Sequence, residues 1–478
     1  MRRLQQHQLS GAKIGPWSTL RVLTPVAFAG GSLLHFDTYD SVQPLFVMLL
    51  IAGPMWLLLT LLASRAPEIR WGYSWLVSWY WLCAGISLLL DGPTQVTPGS
   101  LIDAEKFYTQ LYLQFTPNSL DDLRKVLEGP LAILVWNYFY EWTVNMGGTH
   151  LPHIGVSINI FNMAATGVIS AFMAIILYGY DRRRLFILFA LFTGCGLFIL
   201  FATLHVRDSF ICLIIAALAA LWCAFLVRKD LLSMLLIIAA TPLFTFALHY
   251  LRYDLNSVPI AFAGVGLAAL VAAKDVRRGG ERLWINTLLV LGLTAVGFAA
   301  ATVGADLAQR FERGTGAYVA MADSGAQADS LGMALVVNQP FLLRLIIGPI
   351  YVLFMPIPLW GSSLESGATY ALAKAIGAVF FYFLVSRLAV TAFVLVSYPQ
   401  SRRASVLFLF GVFLIFLMAI GATSIESRHI GPFVPLAIVA SLAFCDSAAL
   451  DSKRANYLKM IFLVMIIAHF MWMILKFP

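Results

Sequence analysis

The chain has 478 residues, of which 60% are hydrophobic and 12% are charged, with a net charge of +8 and a mean hydropathy of +0.84. Soluble proteins carry about 25% charged residues, so this composition excludes a soluble globular domain. Many apolar runs reach the roughly 20 residues that a spanning helix requires. The segment MRRLQQHQLSGAKIGPW has no apolar core directly after its basic residues, which argues against a cleaved signal peptide.

The basic residues cluster in short loops, and short basic loops of membrane proteins face the cytoplasm. Placing these clusters inside predicts an all-α polytopic membrane protein with about 13 transmembrane helices in one integral membrane domain, residues 1–478. The N-terminus is then cytoplasmic and the C-terminus outside. The predicted spans are 21–37, 43–63, 72–90, 156–179, 185–204, 209–227, 231–250, 258–273, 284–303, 373–397, 405–422, 430–446 and 458–476.

Two apolar stretches do not fit this alternation, and counting them differently leaves a range of about 11 to 15 spans. If residues 129–146 crossed the membrane, the basic cluster at 181–184 would lie outside, so we predict an interfacial or re-entrant helix there. The second stretch is the half of 305–363 that is broken by four prolines. Irregular backbone at membrane depth is tolerated only where it is buried in protein or lines a wet cavity.

The predicted outer face therefore carries two large loops, about 91–155 and about 304–372, the second with a re-entrant segment. The cytoplasmic loops are all short and contain no P-loop and no glycine-rich dinucleotide motif. The five cysteines form no CxxC pair, and no cluster of metal ligands is evident. We expect no cofactor, neither nucleotide nor metal. The basic residues mark membrane orientation, so no nucleic-acid partner is expected.

Acidic and histidine side chains mark two places on the outer face. Asp103, in the sequence DAEKFY, lies early in the first loop, where a carboxylate can act as general base on a hydroxyl. Glu141 precedes His150 and His153 at the end of the aromatic stretch. The pair HLPH lacks the helical spacing and the glutamate of HExxH, so substrate contact or a structural role is favoured over metal binding. A solvated loop is the alternative for Asp103.

Arginines mark three further places. Arg207 stands in the turn HVRDS, where it either caps a helix or binds a phosphate with its planar fork of donors. Arg310 and Arg313 share one face of a helix, and the alternative for them is a solvated loop. Arg428 and His429 open a late span in the sequence RHIGPFVP, with prolines near the first turn. An ionisable residue at membrane depth is a functional candidate by default.

Four of these features together resemble the Wzy-type O-antigen and exopolysaccharide polymerases of bacterial envelopes, and their relatives among lipid-linked glycosyltransferases with many spans. They are DAEKFY in the first loop; RDS before an apolar run that ends in RKD; outer-loop arginines followed by PxPLWG at 356–361; and RHIGPFVP. None of the motifs is strict, and together they touch most of the chain after residue 91.

The resemblance implies a polyprenyl-pyrophosphate-linked glycan as substrate, in the outer leaflet of the bacterial cytoplasmic (inner) membrane, with an active site facing the periplasm or exterior. A growing chain leaves its lipid and joins the next lipid-linked unit without a nucleotide. The implied partners are the lipid bilayer, a chain-length regulator and a flippase. Under this mechanism Arg207, Arg310, Arg313 and Arg428 bind the pyrophosphate. Asp103, Glu141 and His429 are the candidate bases. Contact with sugar or lipid falls to Trp136, Tyr138, Tyr140 and Trp360, whose alternative role is a membrane belt.

Two other functions stay open. One is a transferase, either an O-antigen ligase or an enzyme that uses a polyprenyl-phosphate sugar with Asp103 and Glu105 as paired acids and a metal. The other is a flippase or transporter of lipid-linked oligosaccharide. The large outer loops and the lack of internal repeats argue against a transporter.

Overall fold

The computed structural model describes residues 15–63, 66–92, 130–145, 153–273, 339–355, 367–401, 403–423, 427–444 and 448–476, with the single residues 316, 336 and 359. Every regular element among them is helical. The helices are α1 Pro16–Tyr39, α2 Gln43–Leu62, α3 Pro67–Asp91, α4 Pro130–Asn145, α5 His153–Tyr178, α6 Arg182–Gly194, α7 Gly196–Thr203, α8 Asp208–Arg228, α9 Leu231–Leu251, α10 Val258–Ala272, α11 Phe341–Phe354, α12 Ala368–Ser397, α13 Ala404–Ala422, α14 Ser427–Ile430, α15 Val434–Ser441 and α16 Ala448–Lys476.

Within the described residues, 9 helices are long and apolar enough to cross a membrane, and α6 with α7 forms a bent tenth candidate. The protein is thus an all-helical, multi-pass membrane protein. The predicted span 284–303 lies outside the described residues. The total of 13 spans and the two outer loops stay predictions.

One side of the molecule, which we call the basic side, is formed by helix ends that carry arginine and lysine. Glu68 at the start of α3 pairs with Arg182 at the start of α6, at 2.7 Å. Trp17 Nε1 of α1 donates to the Arg182 carbonyl oxygen at 3.1 Å. Arg403, before α13, donates to the Leu177 carbonyl oxygen near the end of α5 at 3.4 Å. These contacts place the ends of five helices on one side.

The other side, which we call the opposite side, is tied together at the end of α3. The Asp91 carboxylate accepts hydrogen bonds from the N–H groups of Ala368 at 2.8 Å and Thr369 at 3.1 Å. The first N–H groups of a helix have no partner within the helix, so Asp91 caps α12. Thr369 Oγ1 also donates to Ser87 Oγ at 2.9 Å. The end of α3 and the start of α12 therefore share the opposite side.

The turn between α8 and α9 on the basic side follows local sequence rules. Lys229 adopts the left-handed conformation, with φ of 55°, and ends α8. Asp230 caps α9, since its carboxylate accepts from Ser233 N at 2.7 Å. The hydrogen bonds from the Ser233 side chain and backbone lower the pKa of the Asp230 carboxyl. A short turn thus reverses the chain between two spans.

The predicted span 185–204 is not one straight helix, because α6 and α7 meet at a bend of 63°. Cys195 between them is extended, with φ −80° and ψ 105°. Gly196 lies directly against the backbone of Ala373 and Gly377 in α12, where a Cβ would overlap the Ala373 carbonyl oxygen. The backbone approach of two helices, possible only at glycine, fixes the position of the bend.

The predicted span 430–446 is also broken, into α14, a 3-10 turn at Gly431–Phe433, and α15. Pro432 and Pro435 lie at the first positions of the two later pieces. Proline has no N–H and disfavours helical backbone in the residue before it. Each proline therefore disfavours continuation of the piece before it, and it is tolerated in the first turn of the piece that contains it.

Helix α11, in the proline-broken stretch, crosses the end of α13 at backbone distance. Gly348 lies against Gly421, and a Cβ on Gly348 would overlap the Gly421 carbonyl oxygen. Farther along α11, the Phe354 ring lies 5.6 Å from that of Tyr382 in the middle of α12. The next helix, α12, follows Gly367 and is capped by Asp91.

Candidate functional site

The turn between α7 and α8 is held in place by buried polar side chains of α5. The Asn159 amide donates to the carbonyl oxygens of Leu204 at 2.8 Å and Val206 at 3.4 Å. Ser209 Oγ donates to Asn159 Oδ1 at 2.7 Å, and both side chains are fully buried. Carbonyl groups at the end of a helix lack partners within it and find no water in an apolar interior. Asn159 supplies these donors and so fixes the turn against α5.

This turn carries an arginine and a carboxylate that are almost fully buried. Arg207 is 9% exposed and Asp208 is 4% exposed. Asp208 lies in the first turn of α8, where its charge faces the positive end of the helix dipole. The Arg207 carbonyl oxygen accepts from Phe210 N at 3.1 Å and begins the helix. A guanidinium is thus held at the start of a spanning helix.

Helix α4 is seated on the same turn through Trp136. Its ring meets His205 edge-on, with centroids 5.9 Å apart, and Phe210 in the same way at 5.8 Å. Gly155 of α5 lies against the same ring, where a Cβ would come within 2.8 Å of the imidazole. His205 therefore contacts both α4 and α5.

A second buried arginine lies on the segment that begins with α14. Arg428 is 8% exposed. Gly431 lies against the Phe201 ring of α7, at a distance that leaves no room for a Cβ. Phe433 stacks on Phe416 of α13, with ring centroids 4.0 Å apart. The segment that carries Arg428 is therefore packed between α13 and the helix that leads to the Arg207 turn.

A third arginine joins this group by a direct contact with His429. Arg252 Nη2 lies 3.1 Å from His429 Nε2. Because a guanidinium only donates hydrogen bonds, His429 Nε2 is the acceptor in this contact. A ring nitrogen that accepts from Arg252 does not at the same time take a proton from a substrate. His429 thus holds a cation in this conformation.

The other predicted site residues fall into three groups. Glu141 and Tyr138 are exposed on α4, Tyr138 at 68%. Trp136 and Tyr140 are buried, so the Trp136 ring offers no free face to a sugar in this conformation. Four residues lie outside the described part of the chain: Asp103, Arg310, Arg313 and Trp360.

From the sequence, Arg252 with Asp254 is a weaker candidate than the arginines named above. The structure makes Arg252 a stronger candidate, because it contacts His429. The available signal was its position. Like Arg207, it stands in a short turn between two apolar runs on the same predicted side. What the sequence lacks is the pairing with His429, since 177 residues separate the two.

The arrangement suits an anion. Arg207, Arg252 and Arg428 lie on neighbouring segments of the opposite side, two of them nearly buried. Guanidinium groups match phosphate oxygens with paired donors, and a site poor in water strengthens the attraction. In the described part of the chain, no group of three or more His, Cys, Asp or Glu side chains is placed to hold a metal ion.

The fold and the site define a multi-pass, all-helical membrane protein with three arginines on neighbouring segments of one side, Arg207, Arg252 and Arg428, here called the arginine cluster. No protein-family model, no curated protein and no solved structure matches this chain.

Proposed function

We propose that this protein is a glycosyltransferase that polymerises polyprenyl-pyrophosphate-linked oligosaccharide units at the outer face of a bacterial cytoplasmic membrane. The observation that carries the proposal is the grouping of Arg207, Arg252 and Arg428 on the side opposite the basic loops. Its second support is the resemblance of RHIGPFVP and the other motifs to Wzy-type polymerases. The basic side faces the cytoplasm under the positive-inside rule, so the arginine cluster faces outward.

In this reaction the bond between the pyrophosphate and the first sugar of the growing chain breaks. The pyrophosphate gathers negative charge as it leaves, and cations fixed in advance at a water-poor site stabilise that charge. Arg428 and Arg207 supply this stabilisation, with Arg310 and Arg313 from the second loop. Arg252, held by His429, adds a third cation to the described group.

The acceptor hydroxyl must lose its proton as the new glycosidic bond forms. A base has to lie within hydrogen-bond reach of that proton. Since His429 Nε2 is occupied by Arg252, the proposal favours a carboxylate, Asp103 or Glu141, for this step. Tyr138 and Trp360 are the aromatic residues proposed to contact sugar or lipid.

The glycans of cells that lack this protein test the proposal. A polymerase predicts single repeat units in place of long chains, while a flippase or an earlier transferase predicts no surface glycan. A ligase predicts long chains that remain on the polyprenyl carrier. Either of the last two outcomes would overturn the proposal.

Purified protein in liposomes provides the second test. Given only lipid-pyrophosphate-linked glycan, with chelator and without nucleotide, we expect polymer to form. Loss of all activity on chelation, restored by a divalent ion, would favour a metal-dependent transferase that uses a polyprenyl-phosphate sugar.

A further inference from the structure

A groove between three helices lies apart from the arginine cluster. It has a volume of about 780 Å³ and is walled by α6, α12 and α16. The α12 wall runs from Ala375 to Arg387, which is about 18 Å at 1.5 Å per residue. One leaflet of a bilayer contributes half of a hydrocarbon core that is roughly 30 Å thick. The groove is therefore about one leaflet deep.

The two ends of the groove differ in chemistry. At the end farther from the basic side it is lined by Gly194 and Leu359, just before the close contact between Gly196 and Gly377. Toward the basic side it is lined by Arg387 and Arg454. Between its ends the walls are formed by alanine, isoleucine, leucine, valine and phenylalanine. The bend between α6 and α7 produces this shape, because α7 meets α12 closely whereas α6 lines one wall of the open groove.

Two arginines line the charged end of the groove, Arg387 and Arg454. Arg454 pairs with Asp451 at 3.1 Å, and the same carboxylate lies 3.5 Å from Arg183. The Asp451 carboxylate is thus shared by Arg454 and Arg183, and Arg387 lines the same end of the groove as Arg454. Arginine suits phosphate through its fork of donors, and a headgroup at the interface keeps its remaining oxygens in water.

We infer that this groove binds an anionic phospholipid of the leaflet on the basic side, with one acyl chain along α12 and the phosphate at Arg387 and Arg454. The occupant is a bilayer lipid and not the glycan carrier, because the headgroup end lies on the side away from Arg207 and Arg428. The inference does not rest on the proposed polymerase activity. The bound lipid is a structural one that fills the space between α6, α12 and α16.

The experiment is native mass spectrometry of protein released from bilayers of equal phosphatidylglycerol and phosphatidylcholine. We expect wild-type protein to retain phosphatidylglycerol. Arg454→Gln removes one charge-assisted contact and should lower retention about tenfold. Ala190→Phe, with its side chain in the apolar wall, should lower retention of both lipids. Val379→Trp on the facing wall provides a second blocking variant should Ala190→Phe not fold.

Matched controls separate the groove from the surface. Arg228→Gln removes the same charge from an exposed position at the end of α8 on the basic side, outside the groove, and Ala239→Phe enlarges an exposed alanine on α9. Both should retain lipid as the wild type does. Unchanged retention in Arg454→Gln and the blocking variants, or equal loss in Arg228→Gln, would overturn the inference. Displacement of phosphatidylglycerol by equimolar polyprenyl phosphate would assign the groove to the carrier lipid and also overturn it.

Discussion

At the scale of single residues, the arginines of the opposite side define the chemistry. Removing a guanidinium from water is costly, and proteins retain one near membrane depth where it is compensated or used. Arg252 is partly compensated by the imidazole of His429. Arg207 stands beside Asp208 at a helix start. Arg428 lies in the short helix α14, which is followed directly by the turn that contains Gly431 and Pro432. The expected roles of these side chains can be separated by substitution.

The first prediction is that Arg428→Ala abolishes polymerisation while the protein still inserts and accumulates. The phosphate-binding role needs the guanidinium, whereas the fold of this segment depends on the contacts of Gly431 and Phe433. Arg428→Lys should rescue poorly, because a point charge replaces a forked donor set. The measurements are the glycan ladder and the protein level in membranes. Long chains of near-normal abundance from Arg428→Ala, at normal expression, would remove this residue from the site.

The second prediction separates a base from a positioning residue at His429. If His429 holds Arg252, then His429→Gln keeps an acceptor for the guanidinium and should retain most activity, while His429→Ala and Arg252→Ala should fall together. The double variant should then be little worse than either single one. The measurement is the initial rate of polymerisation from pH 5 to 9. Equal loss in His429→Gln and His429→Ala, with the ascending limb of the pH profile gone, would make His429 the base.

At the scale of elements, glycines decide where helices meet. Gly196 brings α7 onto α12, and Gly348 and Gly421 bring α11 onto α13. Each of these contacts lets two helix backbones approach closely, and the hydropathy of an apolar run does not predict where this happens. The first ends the lipid groove, and the second fixes the proline-broken stretch beside the segment of Arg428.

The third prediction concerns the crossing of α11 and α13. Gly348→Ala and Gly421→Ala should each lower stability, because the added methyl overlaps backbone atoms that have no room to move. Overpacking of this kind costs about 1–3 kcal/mol or more, against a gain of about 1 kcal/mol from replacing a helical glycine by alanine. Gly53→Ala in α2 is the matched control, since a Cβ there meets nothing within 4 Å.

The measurement is the midpoint of thermal unfolding in one detergent. Unfolding is detected as the loss of the monodisperse peak in size-exclusion chromatography. The midpoint of Gly53→Ala should equal or exceed that of the wild type. A midpoint at or above the wild-type value in both Gly348→Ala and Gly421→Ala would show that the two helices separate freely, and the packing described at this crossing would be wrong.

At the scale of the whole molecule, the contacts sort helix ends into two sides. The α5–α6 turn lies on the basic side, and the end of α3 and the start of α12 lie on the opposite side. Gly348 packs at Gly421, next to the end of α13, a helix that begins on the basic side at Arg403. These contacts place Gly348 toward the opposite side, and the predicted span 284–303 lies outside the described residues.

The fourth prediction tests this map in cells. A reporter fused after Ala273 should be cytoplasmic, because α10 ends there on the side of the basic loops, and one inserted near Ala326 should be outside. The measurement is paired phosphatase and fluorescent-protein activity at both positions. The same side for both reporters would make the map from residue 258 onward wrong.

The sequence predicted the class of protein and most of the long helices. Spans such as 43–63, 231–250 and 405–422 agree with α2, α9 and α13 to within a few residues, because a continuous apolar run in lipid has to satisfy its backbone as a helix. The helix at 129–146 was likewise predicted and is observed as α4. The basic clusters also predicted which loops share one side, because positively charged short loops of membrane proteins face the same side of the membrane.

The sequence did not predict the bend at Cys195 or the pairing of Arg252 with His429. Both depend on contacts between segments that are far apart in the chain, Gly196 with Gly377 and α9 with α14. Hydropathy is a property of one segment and is the same whether that segment is straight or bent. Only the tertiary structure decides which backbone approaches a glycine and which acceptor an arginine finds, and those two choices formed the groove and the arginine cluster.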